Sequence, residues 1–371
     1  MPLRSPLYPL HMATGPSLCL IDGWEIPFAW TSPQTEAQVA RHACALWDRS
    51  PWGRLGATGK DALDLLNRLS TNRLDDLSPG QGRQTVLTTP KGRCIDWLWV
   101  FRLPDGLLLL TSPGAEEAVA SWLDTYTILE EVSLTSLTGT TALIGVLGPQ
   151  ASDLLGALLP TMPHKMDKGT LWEGQWQGVP LTLLRTDALA LPQWDVLVSA
   201  EQAPRLWNAL RERGAEPIGF GAEEILRVAA GIPRRGRELT EAYNPLEAGV
   251  WESVSFSKGC YIGQEVLARL KTYGKIQKAL ARLALSAPVL PGTPLWAEGT
   301  KVGVVTSCVE DTDGPRALAY LTRPLLEVGR TVEAVPSPGR TVAGRVEWAP
   351  VLPPAYQVPT GAGLEQDDAA F

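Results

Sequence analysis

Reactive chemistry is concentrated in one short stretch, Lys258-Gly259-Cys260-Tyr261-Ile262-Gly263-Gln264-Glu265. Its glycines permit tight backbone geometry on both sides of a single thiol. The run that follows, residues 266–269, is apolar and basic and is able to continue as a helix. With a helix starting near Gly263, Cys260 lies just ahead of its N-terminus, where unpaired N–H groups and the helix dipole favour a thiolate. Lys258 adds to that bias. The competing reading is a small buried cysteine filling a turn, which on physics alone is the commoner case.

Charge is distributed unevenly around this stretch. The 371-residue chain carries a formal net charge of -7, which argues against general nucleic-acid binding, since that rests on a dense basic surface. Yet Arg234, Arg235 and Arg237 precede the segment and Arg269, Lys271, Lys275 and Lys278 follow it. Two basic clusters flanking one thiol favour an anionic ligand there; a solvated basic face is the alternative. The five cysteines are scattered with no Cys-x-x-Cys pair, and three histidines offer no metal-ligand spacing, so a reducing, cytoplasmic setting is expected and no protein-held metal. No apolar run approaches the roughly 20 residues of a membrane-spanning helix.

These residues need elements to position them. Apolar periodicity predicts helices over residues 36–47, 60–69, near 115–122, 152–159, 204–213 and 222–229, the last leaving Arg227 at the edge of its apolar stripe and able to reach a cleft. Strands are expected over 95–101 and 107–111, joined through Pro104-Asp105-Gly106 as a hairpin, and over 128–134, 142–147, 181–185 and 194–198. From residue 278 short β-like runs at 280–285, 302–308, 316–321 and 331–335 alternate with turn residues, as in a small antiparallel barrel. The fold class is therefore α+β. The expected units are an N-terminal extension at 1–29, an α+β domain at 30–277, a β-barrel at 278–350 and a disordered tail at 351–371. The 14 tryptophans are read first as core packing, with ligand surfaces as the second use.

The octapeptide resembles the Lys-Gly-Cys-aromatic-x-Gly-Gln-Glu signature of the YgfZ family at every specified position. The upstream stretch Arg227-Val228-Ala229-Ala230-Gly231-Ile232-Pro233, then Gly236, Glu238-Leu239-Thr240-Glu241 and Asn244-Pro245-Leu246-Glu247-Ala248-Gly249, resembles that family too. Gly59-Lys60-Asp61, Ser70-Thr71-Asn72, Leu77-Ser78-Pro79-Gly80 and Thr89-Pro90-Lys91-Gly92-Arg93 are similar both to YgfZ proteins and to glycine-cleavage T-proteins.

That resemblance implies interleaved α+β subdomains around a central cavity, closed by a C-terminal barrel, with tetrahydrofolate as ligand, its polyglutamate tail docking on the basic clusters. It implies that Asp195 stands where T-proteins hold the pterin with a glutamate, and that Arg227 borders the folate cavity. Gly259, Tyr261, Gln264 and Glu265 would shape the ligand loop, with Cys260, Lys258 and Asp96 as the working residues. Two positions depart from T-proteins: their acidic pair is Asp96-Trp97 here, and the aromatic residue before the glycine matched by Gly236 is Arg235. The expected role is an accessory factor that assembles or repairs iron–sulfur proteins, including tRNA-thiomethylating radical enzymes, with those proteins or assembly factors as partners. The alternative is a folate-dependent aminomethyltransferase or demethylase with Asp96 as acid–base residue.

Overall fold

The computed structural model describes residues 2–352. Most of the tail expected to be disordered therefore lies outside the described residues. Two large sheets, a two-stranded ribbon of Ser17–Ile21 and Trp24–Ala29, the helix Phe220–Ala230 and a barrel form the framework. The first sheet is five-stranded and antiparallel, in the order Gly82–Thr88, Cys94–Leu103, Gly106–Pro113, Trp52–Thr58, Ser133–Ser136. Its central hairpin turns at Asp105-Gly106 as anticipated, with Leu103 opposite Gly106. The helices Ala62–Leu69 and Glu116–Thr125 cover one face, burying Leu65, Leu66, Leu69, Val119 and Leu123 against Leu98, Val100 and Leu109.

The second sheet has six strands in the order Leu171–Trp176, Val179–Arg185, Gln193–Ser199, Thr141–Leu147, Ala45–Asp48, Glu216–Ile218. All its pairings are antiparallel except the last, which is parallel. One face packs on the helices Ala151–Leu158 and Ala203–Arg211 through Leu154, Leu155, Leu206 and Trp207. The N-terminal residues join this core: Leu7 and His11 are buried, and His11 Nε2 lies 2.9 Å from Asp48 Oδ2.

Residues 45–48 depart from expectation. The helix ends at His42, and Ala45–Asp48 is a strand buried at every position. A short, fully buried strand has no alternation to show, so its apolar run continued the helical pattern. The strand places Trp47 and the following Arg49 beside the first sheet rather than on a helix face.

The barrel is closed by six strands, Lys278–Leu285, Gly314–Thr322, Thr300–Asp311, Pro294–Ala297, Thr331–Ser337 and Arg340–Trp348, around Leu283, Val305, Ala319 and Val346. It meets the rest of the chain along the helix Phe220–Ala230. Among the described residues no helix is long and apolar enough to cross a membrane.

Candidate functional site

Where the two sheets and the helix Phe220–Ala230 converge, a cavity of about 100 Å³ is walled by four tryptophans and four arginines. Trp97 and Trp99 come from one face of the strand Cys94–Leu103, because alternate residues of a strand share a face. Trp47 is the penultimate residue of the buried strand of the second sheet and Trp52 begins a strand of the first, and their rings meet edge-on at 4.7 Å. The Arg49 guanidinium lies over both, 4.9 Å and 4.8 Å from the ring centroids, a cation–π arrangement that fixes all three side chains. Arg227 and Glu223 reach the cavity from the helix, and Arg234 and Arg235 from the loop after it.

Several polar groups around this cavity lack protein partners. Trp99 Nε1, Arg49 Nε and Arg234 Nη1 are buried donors with nothing to donate to, and Asp96 Oδ1 is a buried acceptor without a donor. Folded proteins leave few such groups, and where three of them, on Arg49, Trp99 and Arg234, belong to residues lining one cavity, a polar ligand can satisfy them. Asp96 is fully buried and, like Asp195, does not itself line the cavity; its neighbour Trp97 and Ser112 do, and its Oδ2 accepts the Ser112 backbone N–H at 3.0 Å. Burial pushes its pKa up, partly offset by hydrogen bonding to the Ser112 side chain and backbone, by the charge of Arg235 and by the Trp97 backbone N–H.

Asp195 lies elsewhere. Its fully buried carboxylate accepts from Arg49 Nη1, Thr186 Oγ1 and Gln193 Nε2, and it is not among the residues lining the cavity. Arg49 faces the cavity in its place. Arg227 is 2% exposed rather than free at a helix edge; it is ion-paired with Glu224 at 2.7 Å and Glu238 at 3.0 Å and donates to Ser307 of the barrel at 2.8 Å. Burial alone would lower its pKa, but Glu224 and Glu238 carry it upward.

The signature segment is outside the cavity. Cys260 is exposed, as is Glu265, whose carboxylate pairs with Arg269 one helical turn on at 2.7 Å. Gln264 opens the helix Gln264–Thr272, as the sequence suggested. Gly263 adopts φ +85°, and a Cβ there would come within 2.8 Å of Thr88 and Thr89, so only glycine fits. Gly259 has no such constraint. Tyr261 is buried with its hydroxyl unpartnered.

Lys258, expected to bias the thiol, points the other way. Its ammonium gives one proton each to the carbonyls of Asn67, Ser70 and Asn72, at 2.5 Å, 2.9 Å and 2.5 Å. Burial lowers its pKa to about 8, so it stays charged at neutral pH. This is a structural clamp. Asn72 in turn donates to the carbonyl of Gln84, a cavity-lining residue, so the segment supports the cavity from behind.

A larger groove of about 790 Å³ runs between the barrel and the helix Pro33–His42. Of its four arginines, Arg41 pairs with Asp311 across to the barrel, and Arg282 and Arg316 pair with Glu347 and Asp311 within the barrel, so most of the positive charge there is already met. We therefore place the chemistry in the smaller, aromatic cavity.

Comparison with known proteins agrees with this architecture. The GCVT N-terminal domain family matches residues 7–258. The chain belongs to that family. It is 32% identical over 366 residues to the aminomethyltransferase of Symbiobacterium thermophilum, covering 94% of this chain and 96% of the relative. A chloroplastic Arabidopsis thaliana protein described as a transferase is 33% identical over 85% of this chain and 72% of its own length. The crystal structure of the glycine cleavage system aminomethyltransferase T from Bartonella henselae superposes with a TM-score of 0.85 at 23% identity, covering 94% and 97% of the two chains, and shows the fold to be shared. Tetrahydrofolate is the one-carbon carrier of aminomethyltransferases in this family. These relatives favour the aminomethyltransferase alternative over the iron–sulfur accessory role, which they do not support.

Proposed function

We propose that this GCVT-family protein transfers a one-carbon unit to or from tetrahydrofolate in the tryptophan-lined cavity, in the manner of an aminomethyltransferase. The observation that carries the reading is the Asp96 carboxyl, fully buried, with its pKa raised by burial and one oxygen left without a partner. A carboxyl whose pKa burial raises can give or take a proton at the reacting nitrogen, the task general acid–base catalysis sets.

The unpaired donors suit a folate. Tetrahydrofolate supplies nitrogens that carry the one-carbon unit. Trp47, Trp52, Trp97 and Trp99 offer flat faces for a ring system, and Trp99 Nε1 and Arg49 Nε offer donors to its carbonyl and ring nitrogens. Asp195 would act indirectly, holding Arg49 rather than the ring. Excluding water is the work of the tryptophans, and the barrel holds Arg227 in place through Ser307.

Purified protein mixed with tetrahydrofolate and an aminomethyl donor should form methylene-tetrahydrofolate catalytically. Tight binding of tetrahydrofolate without any turnover would instead return the protein to a binding or accessory role.

A further inference from the structure

One guanidinium on the cavity wall has no carboxylate within ion-pair distance among the described residues. Of the four lining arginines, Arg49 meets Asp195, Arg227 meets Glu224 and Glu238, and Arg234 meets Glu223 and, at 3.3 Å, Glu224. Among the described residues no carboxylate pairs with Arg235. Its Nε donates to the carbonyl of Ile95 at 3.3 Å, one residue from Asp96, and among the described residues its two terminal nitrogens meet no protein acceptor. Next to it in the chain, Arg234 keeps Nη1 buried and unpartnered.

A half-buried guanidinium that lacks a carboxylate stands beside a second guanidinium whose buried N–H has nothing in the protein to donate to, and such an N–H carries a desolvation cost that an acceptor on a ligand would return. The planar fork of arginine suits a carboxylate, which accepts two parallel hydrogen bonds, better than it suits a neutral ring. The aromatic surroundings strengthen such a bond by keeping water away. Glu223, the acid on the same wall, does not compete for Arg235, since it is engaged by Arg234.

We propose that Arg235, together with Nη1 of Arg234, forms a carboxylate-binding site in the cavity, so that a substrate enters as a small carboxylate anion and is anchored beside Asp96. The proposal rests on the one-carbon reading and names its substrate class. Two molecules could bring the carboxylate: an amino acid bearing the one-carbon unit on its nitrogen, or folate through its glutamate tail. A cationic amine without a carboxylate would gain nothing from Arg235.

Binding to the full chain, followed by tryptophan fluorescence and calorimetry, tests this without requiring turnover. One ligand pair is N-methylglycine against methylamine; the other is tetrahydrofolate against tetrahydropteroate, which lacks the glutamate. Arg235→Gln should weaken the carboxylate member of one pair about tenfold, the worth of one charge-assisted hydrogen bond, and leave its carboxylate-free counterpart within about twofold. The pair that responds identifies the source. Arg235→Lys, which keeps the charge without the fork, should recover part of the loss, and unchanged melting of both variants guards against misfolding. Equal binding of both carboxylates by wild type and Arg235→Gln, or equal weakening of ligands with and without the carboxylate, would overturn the site. Absence of methylene-tetrahydrofolate formation by wild type would overturn the one-carbon reading while leaving the binding comparison intact.

Discussion

The tryptophan–arginine cavity and the Lys258-to-Glu265 segment are built on opposite terms. In the cavity, buried polar atoms lack partners: Asp96 Oδ1, Trp99 Nε1, Arg49 Nε and Arg234 Nη1. In the segment only the Tyr261 hydroxyl is left so, and the group that looked most reactive beside the thiol is saturated, since the Lys258 ammonium has given all three protons to carbonyls. A motif can therefore be conspicuous because the backbone needs it, as Gly263 is needed against Thr88 and Thr89. Unmet hydrogen-bonding capacity in a buried place is the better guide to where a ligand belongs.

The sharpest way to separate the two regions is by activity and stability. Asp96→Asn should lower turnover about 100-fold or more, the usual contribution of a positioned acid or base, with the fold retained. Lys258→Met should do the reverse. Leaving three buried carbonyls without their donor should cost about 3 kcal/mol in urea unfolding, with near-normal activity per folded molecule. A Lys258→Met protein as stable as wild type would remove the structural clamp from the account.

A smaller effect concerns pH. Because the folded pKa of Asp96 is raised, its stabilising contribution is complete below the unfolded value of about 3.9 and is lost as pH rises through the folded value. Asp96→Asn cannot ionise, so it should gain stability relative to wild type as pH is raised from about 4 towards neutrality. A constant difference across that range would mean that Asp96 titrates normally. The smallest effect belongs to Cys260→Ala: an exposed side chain with no structural load should change stability by no more than about 0.5 kcal/mol and leave turnover unchanged.

Much of the framework was legible in the sequence, for specific reasons. The Asp105-Gly106 turn announced its hairpin, the apolar spacing at Leu65, Leu66 and Leu69 announced a helix, and recurrent turn residues after 278 announced the barrel. The site was harder. Arg235 stood out as a departure, but Trp47 was hidden by a buried strand whose apolar run mimicked a helix end, and Arg49 had no local signal. Trp97 and Trp99, two apart on a strand, did carry a clue to a shared aromatic face, yet abundant tryptophan reads first as core. Cavities assemble from residues distant in the chain, here from 47 to 235, whereas a motif is judged by its neighbours.

The most direct test is one assay of methylene-tetrahydrofolate formation run on wild type, Asp96→Asn and Cys260→Ala at equal folded concentration. Activity lost in Asp96→Asn and kept in Cys260→Ala is the predicted result; activity lost in Cys260→Ala and kept in Asp96→Asn would place the chemistry at the exposed thiol and contradict the account.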